Sequence, residues 1–295
     1  MAVICPVCKR EAPLHFRARD FNRKIASKIF DYYRCPSCRQ IFLSPIPAHL
    51  GQYYPHDYYP IPQSASELDK TAECDRYKID IVKQFAPGGR LLEIGPAYGS
   101  FIYLAKQAGF DAEAIEMDSN CCTFIQEKIG AKAIQSNDPS DALRDAENYD
   151  VIALWHVIEH LPAPWKTLEV ISKKLNPGGV LVIAAPNPDA FQFRVLGRFW
   201  PHVDAPRHLQ LIPLPLLGKQ MVSFGLKSVW STTTDRGTLG WNAFGWSHFL
   251  SNFTNHRYLK TGLGKIGTII SIILRPIERR NGSGSAYTVV FKKEK

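Results

Sequence analysis

The stretch Leu91-Leu92-Glu93-Ile94-Gly95-Pro96-Ala97-Tyr98-Gly99-Ser100-Phe101 constrains the fold of this chain more than any other. An apolar run ending in an acid meets two glycines, and a helical apolar pattern (Phe101, Ile102, Leu104, Ala105) follows at once. This predicts a strand whose carboxyl end opens through a turn into a helix. In open α/β sheets ligands bind at such a place. Gly95 and Gly99 can take positive φ and bare their main-chain N–H groups, so a ligand can lie directly against the backbone. Glu93 adds a carboxylate suited to an ammonium or a hydroxyl. A dinucleotide fold wants G-x-G-x-x-G, whereas here the second glycine falls at position 99. Taken alone, the turn is equally an ordinary strand-to-helix connection.

The neighbouring segments extend the pattern. Ala112 to Ile115 predicts a second strand ending in Glu116, at the offset where a second-strand carboxylate reaches ribose hydroxyls in nucleotide-binding α/β folds. A helix through Cys121, Cys122, Phe124, Ile125 and Ile129 follows, its paired cysteines read as core filler, and Ala131 to Gln135 predicts a third strand. Two further stretches are Tyr149-Asp150-Val151-Ile152-Ala153-Leu154-Trp155-His156-Val157-Ile158-Glu159-His160-Leu161 and Asn176-Pro177-Gly178-Gly179-Val180-Leu181-Val182-Ile183-Ala184-Ala185-Pro186-Asn187.

Glu-x-Gly-x-x-x-Gly at 93–99 resembles the first motif of class I S-adenosylmethionine-dependent methyltransferases, with Ala97 where the middle glycine usually stands. That departure is minor if Ala97 keeps negative φ. The two later stretches resemble the fourth-strand motif and the PGG turn plus fifth strand of the branch that holds ubiquinone-biosynthesis O-methyltransferases and many sugar methyltransferases. The resemblance covers roughly residues 85–230. It implies a Rossmann-like, doubly wound α/β fold with a seven-stranded, mostly parallel sheet and an antiparallel last strand. It also implies S-adenosylmethionine as cofactor, held by Glu93, Gly95, Ala97, Gly99, Glu116 and Trp155, with Asn137 or Asp138 placed to meet the adenine amine.

The segment after the fourth strand carries the densest chemistry. If the chain is helical from Val157, then His156, Glu159 and His160 stand at i, i+3 and i+4 on one face. One reading is a general base, since an imidazole can take the proton of an acceptor hydroxyl. A second is a divalent metal site, because related ubiquinone-pathway enzymes appear to use E-x-x-E-H, though here the first position is His156. A third is structural, with Glu159 and His160 satisfying backbone at a helix start. The spacing also matches an H-x-x-E-H metalloprotease, which the surrounding motifs oppose. His208, in the P-x-H-L signature of the resembled family, is another candidate for base or acceptor binding, with a backbone-bonded buried histidine as the alternative.

Cys5-Pro6-Val7-Cys8 and Cys35-Pro36-Ser37-Cys38 form two C-x-x-C knuckles with 26 residues between them. Tetrahedral zinc takes four thiolates, two from each tight turn, so Cys5, Cys8, Cys35 and Cys38 predict a structural Zn²⁺ in a ribbon over residues 1–45 whose fold depends on the metal. Residues 46–75 are expected to be a linker. Five prolines across 41–62 forbid a regular helix there, and Tyr53, Tyr54, Tyr58 and Tyr59 either cover the cofactor cleft or pack as a connector. Gln63 to Glu73 reads as polar and flexible, and Asp75 to Phe85 as a helix entering the domain at 76–295.

Charge is uneven. Residues 1–50 carry nine Lys/Arg against three Asp/Glu and residues 255–295 nine against two, while the middle is net acidic. Basic ends suit nucleic acid, anionic lipid or phosphorylated sugars, or are simply solvated. An aromatic and basic insertion at about 236–282, with Trp241, Phe244, Trp246, Phe249 and Phe253, reads as a lid on a membrane interface, a dimer contact or a sheet-packing helix. No apolar run reaches the length that spans a bilayer. The expected location is cytoplasmic, or peripheral at the inner membrane face through 241–280. The expected activity is methyl transfer to an oxygen or carbon of a small-molecule, carbohydrate or lipid-linked acceptor. An rRNA or tRNA methyltransferase is the first rival, opposed by Leu154-Trp155-His156 where base-amine enzymes carry an N/D-P-P-Y-like loop, and a non-catalytic zinc-ribbon scaffold is the second.

Overall fold

The computed structural model describes residues 2–55, 58–280 and 282–294. At the N-terminus, β1 (Ala2–Ile4), β2 (Glu11–Ala18), β3 (Phe30–Arg34) and β4 (Ile41–Leu43) form an antiparallel sheet. Its outer strand is β10 (Gln210–Leu211), which comes from the far side of the chain and pairs with β4. Leu43 N also donates to the Leu209 carbonyl at 2.9 Å. Phe30, Tyr32, Ile41 and Leu43 therefore share one apolar cluster with Trp200, Val203, Leu209 and Leu211. The ribbon is thus joined to the body by a strand pair and a common core.

The body is a seven-stranded sheet in the order β11 (Leu226–Thr232), β12 (Ala286–Lys293), β9 (Leu175–Pro186), β8 (Tyr149–Trp155), β5 (Arg90–Ile94), β6 (Asp111–Glu116), β7 (Lys132–Gln135). Strands β5 to β9 pair in parallel, and β12 runs antiparallel between β9 and β11. This is the fold class that the resemblance implies. Successive residues of the central strands point to opposite faces, and both faces are covered. Leu91, Val151, Val180 and Val182 face one core with Ile79, Val82 and Phe101, while Leu92, Ile152, Leu181 and Ile183 face the other with Leu168, Ile171 and Met221. Burial on both sides explains why these strands read as unbroken apolar runs rather than alternating ones.

Helices α1 (Ala65–Lys83) and α2 (Ser100–Gln107) cover the first face; α5 (Pro164–Lys174) and α7 (Leu214–Ser223) cover the second. The short helices α3 (Ser119–Phe124), α4 (Pro139–Ala142) and α6 (Phe191–Leu196) lie in connections, and Cys121 and Cys122 of α3 are buried as expected of core filler. Before β12 the chain inserts the antiparallel pair α8 (Arg236–Ser251) and α9 (Arg257–Glu278). Among the described residues no helix is long and apolar enough to cross a membrane.

The first helix starts at Ala65, ten residues before the predicted Asp75, inside the stretch read as flexible. The physical reason is a capping box: Ser64 Oγ accepts from Glu67 N at 3.2 Å, and Glu67 Oε2 accepts from Gln63 N at 2.8 Å. The expected helix from Val157 is absent as well. A single 3-10 turn, Ile158–His160, replaces it, because the chain is already extended at Leu161 (φ −74°, ψ 129°), and His156 at φ 59° stands outside any right-handed helix.

Candidate active site

The carboxyl ends of β5 and β6 bring Glu93, Gly95 and Glu116 side by side, with Gly95 N donating to the Ile115 carbonyl at 2.8 Å. After β5 the backbone turns left-handed at every second residue: Gly95 at φ +70°, Ala97 at +52° and Gly99 at +84°. A Cβ on Gly95 would lie 2.6 Å from Val157 Cγ2, and one on Gly99 2.8 Å from both Ile125 Cγ1 and Ile129 Cδ1, so neither position admits a side chain. Ala97 does not keep negative φ, so the condition for a minor departure is not met. Its left-handed conformation is held by its N–H, which donates to Glu116 Oε2 at 2.9 Å. The other Glu116 oxygen accepts from Met117 N and Asp118 N at 2.7 and 2.9 Å.

Glu93 is 2 % exposed, and its Oε2 has no hydrogen-bond partner among the described residues. Burial pushes its carboxyl up to about 8; the Lys78 ammonium opposes this, and Asp75 and Glu116 add to it. Glu93 is thus a protonated acid at neutral pH until a cation or a hydroxyl meets it. Trp155, at the end of β8, packs edge-on against Tyr77 and Phe101 at 6.2 and 5.6 Å, with Lys78 Nζ 5.6 Å from its ring, and its indole N–H is buried without a partner among the described residues. Asp138 instead caps α4, accepting from Ser140 N at 2.8 Å, and lies 3.6 Å from Lys166 Nζ. Its carboxylate therefore already serves a helix start. The Oε2 of Glu93, the glycine-lined approach and the Glu116 carboxylate form a set that would fit a nucleoside carrying an ammonium group.

The second cluster gathers Glu159, His160 and His208, whose candidate ligand atoms all lie within 4.8 Å of one another. His160 Nδ1 stands 3.0 Å from the Arg207 carbonyl and 2.9 Å from the Tyr54 hydroxyl. A carbonyl can only accept, so Nδ1 carries the hydrogen and Nε2 keeps its lone pair. The same logic applies to His208, whose Nδ1 donates to the His202 carbonyl at 2.8 Å. Burial lowers both imidazoles: His160 is held at about 4, with the His208 charge adding to burial, while for His208 burial outweighs the opposing Glu159 and Asp204 charges. Glu159 is 1 % exposed, neither of its oxygens has a hydrogen-bond partner among the described residues, and burial raises its pKa. His156 Nδ1 is 3.6 Å from Glu159 Oε1, and its ring faces Trp241 of α8 at 4.7 Å. The structure thus brings His160 and His208 together and sets His156 to one side.

Several of these contacts were not legible in sequence. Tyr54 reaches His160, and the Tyr59 hydroxyl, raised chiefly by burial, also feels the Glu116 charge, so the tyrosine segment lies over both clusters. His56 and Asp57 of that segment lie outside the described residues. Asp20, after β2, accepts from Arg207 Nη2 at 2.7 Å, and Asp204 accepts from the same nitrogen at 2.7 Å and from Nε at 2.9 Å. Tyr32 of β3 donates to the His208 carbonyl at 2.8 Å, and Leu209 N donates to the Glu159 carbonyl at 2.8 Å. The ribbon therefore grips the segment that carries His208.

In the ribbon, Cys5 Sγ and Cys38 Sγ are 3.6 Å apart, and Cys8 Sγ and Cys35 Sγ 3.2 Å. All four sulfurs lie within 4.8 Å of one another as free thiols. Each knuckle closes identically, with Lys9 N donating to Cys5 O and Arg39 N to Cys35 O at positive φ on Lys9 and Arg39. Zn–S bonds of about 2.3 Å set tetrahedral sulfurs roughly 3.8 Å apart, close to this arrangement, so the donor set fits zinc.

Comparison with known proteins agrees with the geometry. Residues 69–231 match the family described as "Methyltransferase domain". A "Ubiquinone biosynthesis O-methyltransferase" of Saccharophagus degradans is 24% identical over 150 residues, which span half of this chain and 60% of that protein. The structure of a SAM-dependent methyltransferase from Archaeoglobus fulgidus superimposes at TM-score 0.52 and 18% identity, covering 75% of this chain and 94% of that one. That of Haemonchus contortus phosphoethanolamine N-methyltransferase 2 in complex with S-adenosyl-L-methionine gives 0.54 and 14%, covering 86% and 62%. At these identities the two structures speak for the fold.

Proposed function

This chain belongs to the methyltransferase domain family, and from that premise we propose that it transfers a methyl group from S-adenosylmethionine to an oxygen or carbon of a small-molecule, sugar or lipid-linked acceptor. The observation that carries the proposal is the buried, unpartnered carboxyl of Glu93 beside the left-handed Gly95–Gly99 turn and Glu116. Glu93 would hold the cofactor's ammonium, Glu116 its ribose hydroxyls, and the bared backbone at Gly95 and Gly99 its flat approach, with Trp155 as a wall. When bound, S-adenosylmethionine supplies an electrophilic methyl on a sulfonium.

The chain's own part is to position and to accept a proton. An acceptor hydroxyl near His160 meets an Nε2 lone pair on a ring fixed from behind by the Arg207 carbonyl and Tyr54. Glu159, two bonds short of any partner, is placed to share that proton or to hold a second hydroxyl. Orientation of two reactants can lower a barrier by roughly 7–11 kcal/mol, so tight placement matters more than the strength of the base. A specific observation favours a second reading of the same cluster: Glu159, His160 and His208 offer one carboxylate and two bare imidazole nitrogens within 4.8 Å, a set that suits a divalent cation orienting a diol. In the ribbon, Cys5, Cys8, Cys35 and Cys38 would hold a structural Zn²⁺.

Titration calorimetry with S-adenosylmethionine on the intact chain and on Gly95→Val tests the cofactor assignment; equal affinity would remove it. Transfer of labelled methyl into extract, followed by mass identification of the product, tests the acceptor class. Metal analysis of the wild type and of Glu159→Gln separates the base from the cation reading.

A further inference from the structure

Helix α9 is built inside out. Its residues against α8 are small or polar: a Cβ on Gly267 would strike the Ser247 and Trp246 backbone at 2.5 Å, Gly264 abuts Ser247 and Ser251, and Ser271 and Glu278 are buried. Leu263, Ile270, Leu274 and Ile277 are half-buried, but a second set of aliphatic residues is left outside. Leu259, Ile266, Ile269 and Ile273 recur at spacings of seven, three and four, forming one line along the helix. Ile269 is 56% exposed and Ile273 67%. A helix serving only a soluble core would turn this stripe inward, as α5 and α7 do.

The charge around the stripe has one sign. Arg257, Lys260, Lys265, Arg275, Arg279 and Arg280 all lie on or beside α9 and are exposed. Its one acid, Glu278, is 1 % exposed and accepts from Gln192 Nε2 and Trp246 Nε1, both at 2.8 Å. The ribbon loop after β2 extends the same edge. Phe21 meets Phe253 at 6.1 Å, Lys24 Nζ donates to the Asn252 carbonyl, and Ile25 and Ile29 beside it are exposed.

We propose that α9, with the adjoining ribbon loop, docks in the plane of an anionic phospholipid bilayer, its isoleucine stripe among the acyl chains and its arginines and lysines at the headgroups. A helix of 22 residues is about 33 Å long and lies flat at such an interface. A second copy of this chain is the poorer occupant, because pairing the stripes would set two sets of cations against each other. Nucleic acid has no use for exposed isoleucines. The proposal rests on the helix pair and the loop alone, independently of methyl transfer.

The test is co-sedimentation of the full chain with vesicles of phosphatidylcholine, and of phosphatidylcholine and phosphatidylglycerol in equal parts. Binding to the anionic vesicles is expected at low salt, with release near 1 M salt, where the screening length falls to about 3 Å. Ile269→Asp with Ile273→Asp should reduce partitioning on the order of a hundredfold or more, at unchanged thermal unfolding. Lys260→Ala with Lys265→Ala, which leaves the stripe intact, should reduce it roughly 25-fold. Absence of binding to either vesicle at low salt, binding unaltered by both double variants, or a dimer that the isoleucine variants dissolve without any vesicle affinity would each overturn the proposal.

Discussion

The imidazoles of His160 and His208 meet edge to face, ring centroids 4.6 Å apart, although one follows β8 and the other precedes β10. Each has its Nδ1 tied to a carbonyl, Arg207 for His160 and His202 for His208, so Nε2 of each keeps its lone pair in a cluster that also holds Glu159. Two neutral imidazoles held in this way are what the proposed proton-accepting role requires.

If His160 accepts the acceptor's proton, His160→Gln should lower kcat by about 10²–10⁴-fold while leaving S-adenosylmethionine affinity near wild type. The pH profile follows from burial, which holds His160 at about 4. Only the neutral ring can accept, so kcat at saturating cofactor should stay flat through pH 6 and fall as pH drops through 4. A limb near pH 6.5, the ordinary histidine value, would remove His160 from this role.

Glu93 predicts a proton count for cofactor binding. Its buried carboxyl titrates at about 8 in the free protein, and an ammonium laid against it favours the charged form. Binding at pH 7 should therefore release a proton, and affinity should rise by up to tenfold per pH unit as pH climbs toward 8. Calorimetry in buffers of different ionisation enthalpy counts that proton, and Glu93→Gln should abolish the count. Because the folded pKa is raised, the ionised carboxyl opposes folding, so the empty protein should lose stability as pH rises from about 5 toward 8.

How much of this was legible in sequence depends on the range of the interaction. The turn at 91–101 and Glu116 were readable because strand, glycine and helix follow one another locally, and the doubly buried strands because Leu91 and Leu92 must face opposite cores. The C-x-x-C knuckles were readable because each is a single tight turn. The start of α1 was misjudged on polar composition, although Ser64 and Glu67 carried the capping signature. The left-handed His156, the meeting of His160 with His208 and the grip of Asp20 on Arg207 have no periodic signature. The last two arise where β10 joins the ribbon sheet.

That grip should be measurable. Arg207 is 1 % exposed and Asp20 3 %, and the pair is bonded at 2.7 Å beside Asp204. Removing one partner of a buried ion pair strands the other, at about 3–5 kcal/mol. Arg207 keeps its two bonds to Asp204, so Asp20→Ala should destabilise the chain by up to that amount in denaturant unfolding and reduce methyl transfer, because the Arg207 carbonyl that orients His160 moves with it. Burial raises the Asp204 carboxyl, but the Arg207 bonds outweigh it and hold it at about 2. Its contribution is complete above about pH 4 and is lost as pH falls through 2, so acid unfolding of Asp20→Ala should begin at higher pH.

Ala97 gives the sharpest test of the turn itself. At φ +52° its Cβ crowds its own backbone, a strain of roughly 1–2 kcal/mol that glycine avoids. Glycine in turn loses about 0.5–1 kcal/mol through the freer unfolded chain. Ala97→Gly should therefore be stabilising by up to about 1 kcal/mol, or a few degrees in Tm. The N–H that donates to Glu116 is retained, so cofactor affinity should be kept. Ala97→Val separates this from a merely tolerant loop: a β-branched residue is disfavoured in the left-handed region, so it should lose both stability and cofactor affinity. If Ala97→Val binds S-adenosylmethionine as well as Ala97→Gly does, the turn is not the rigid cradle that the left-handed alternation of Gly95, Ala97 and Gly99 describes.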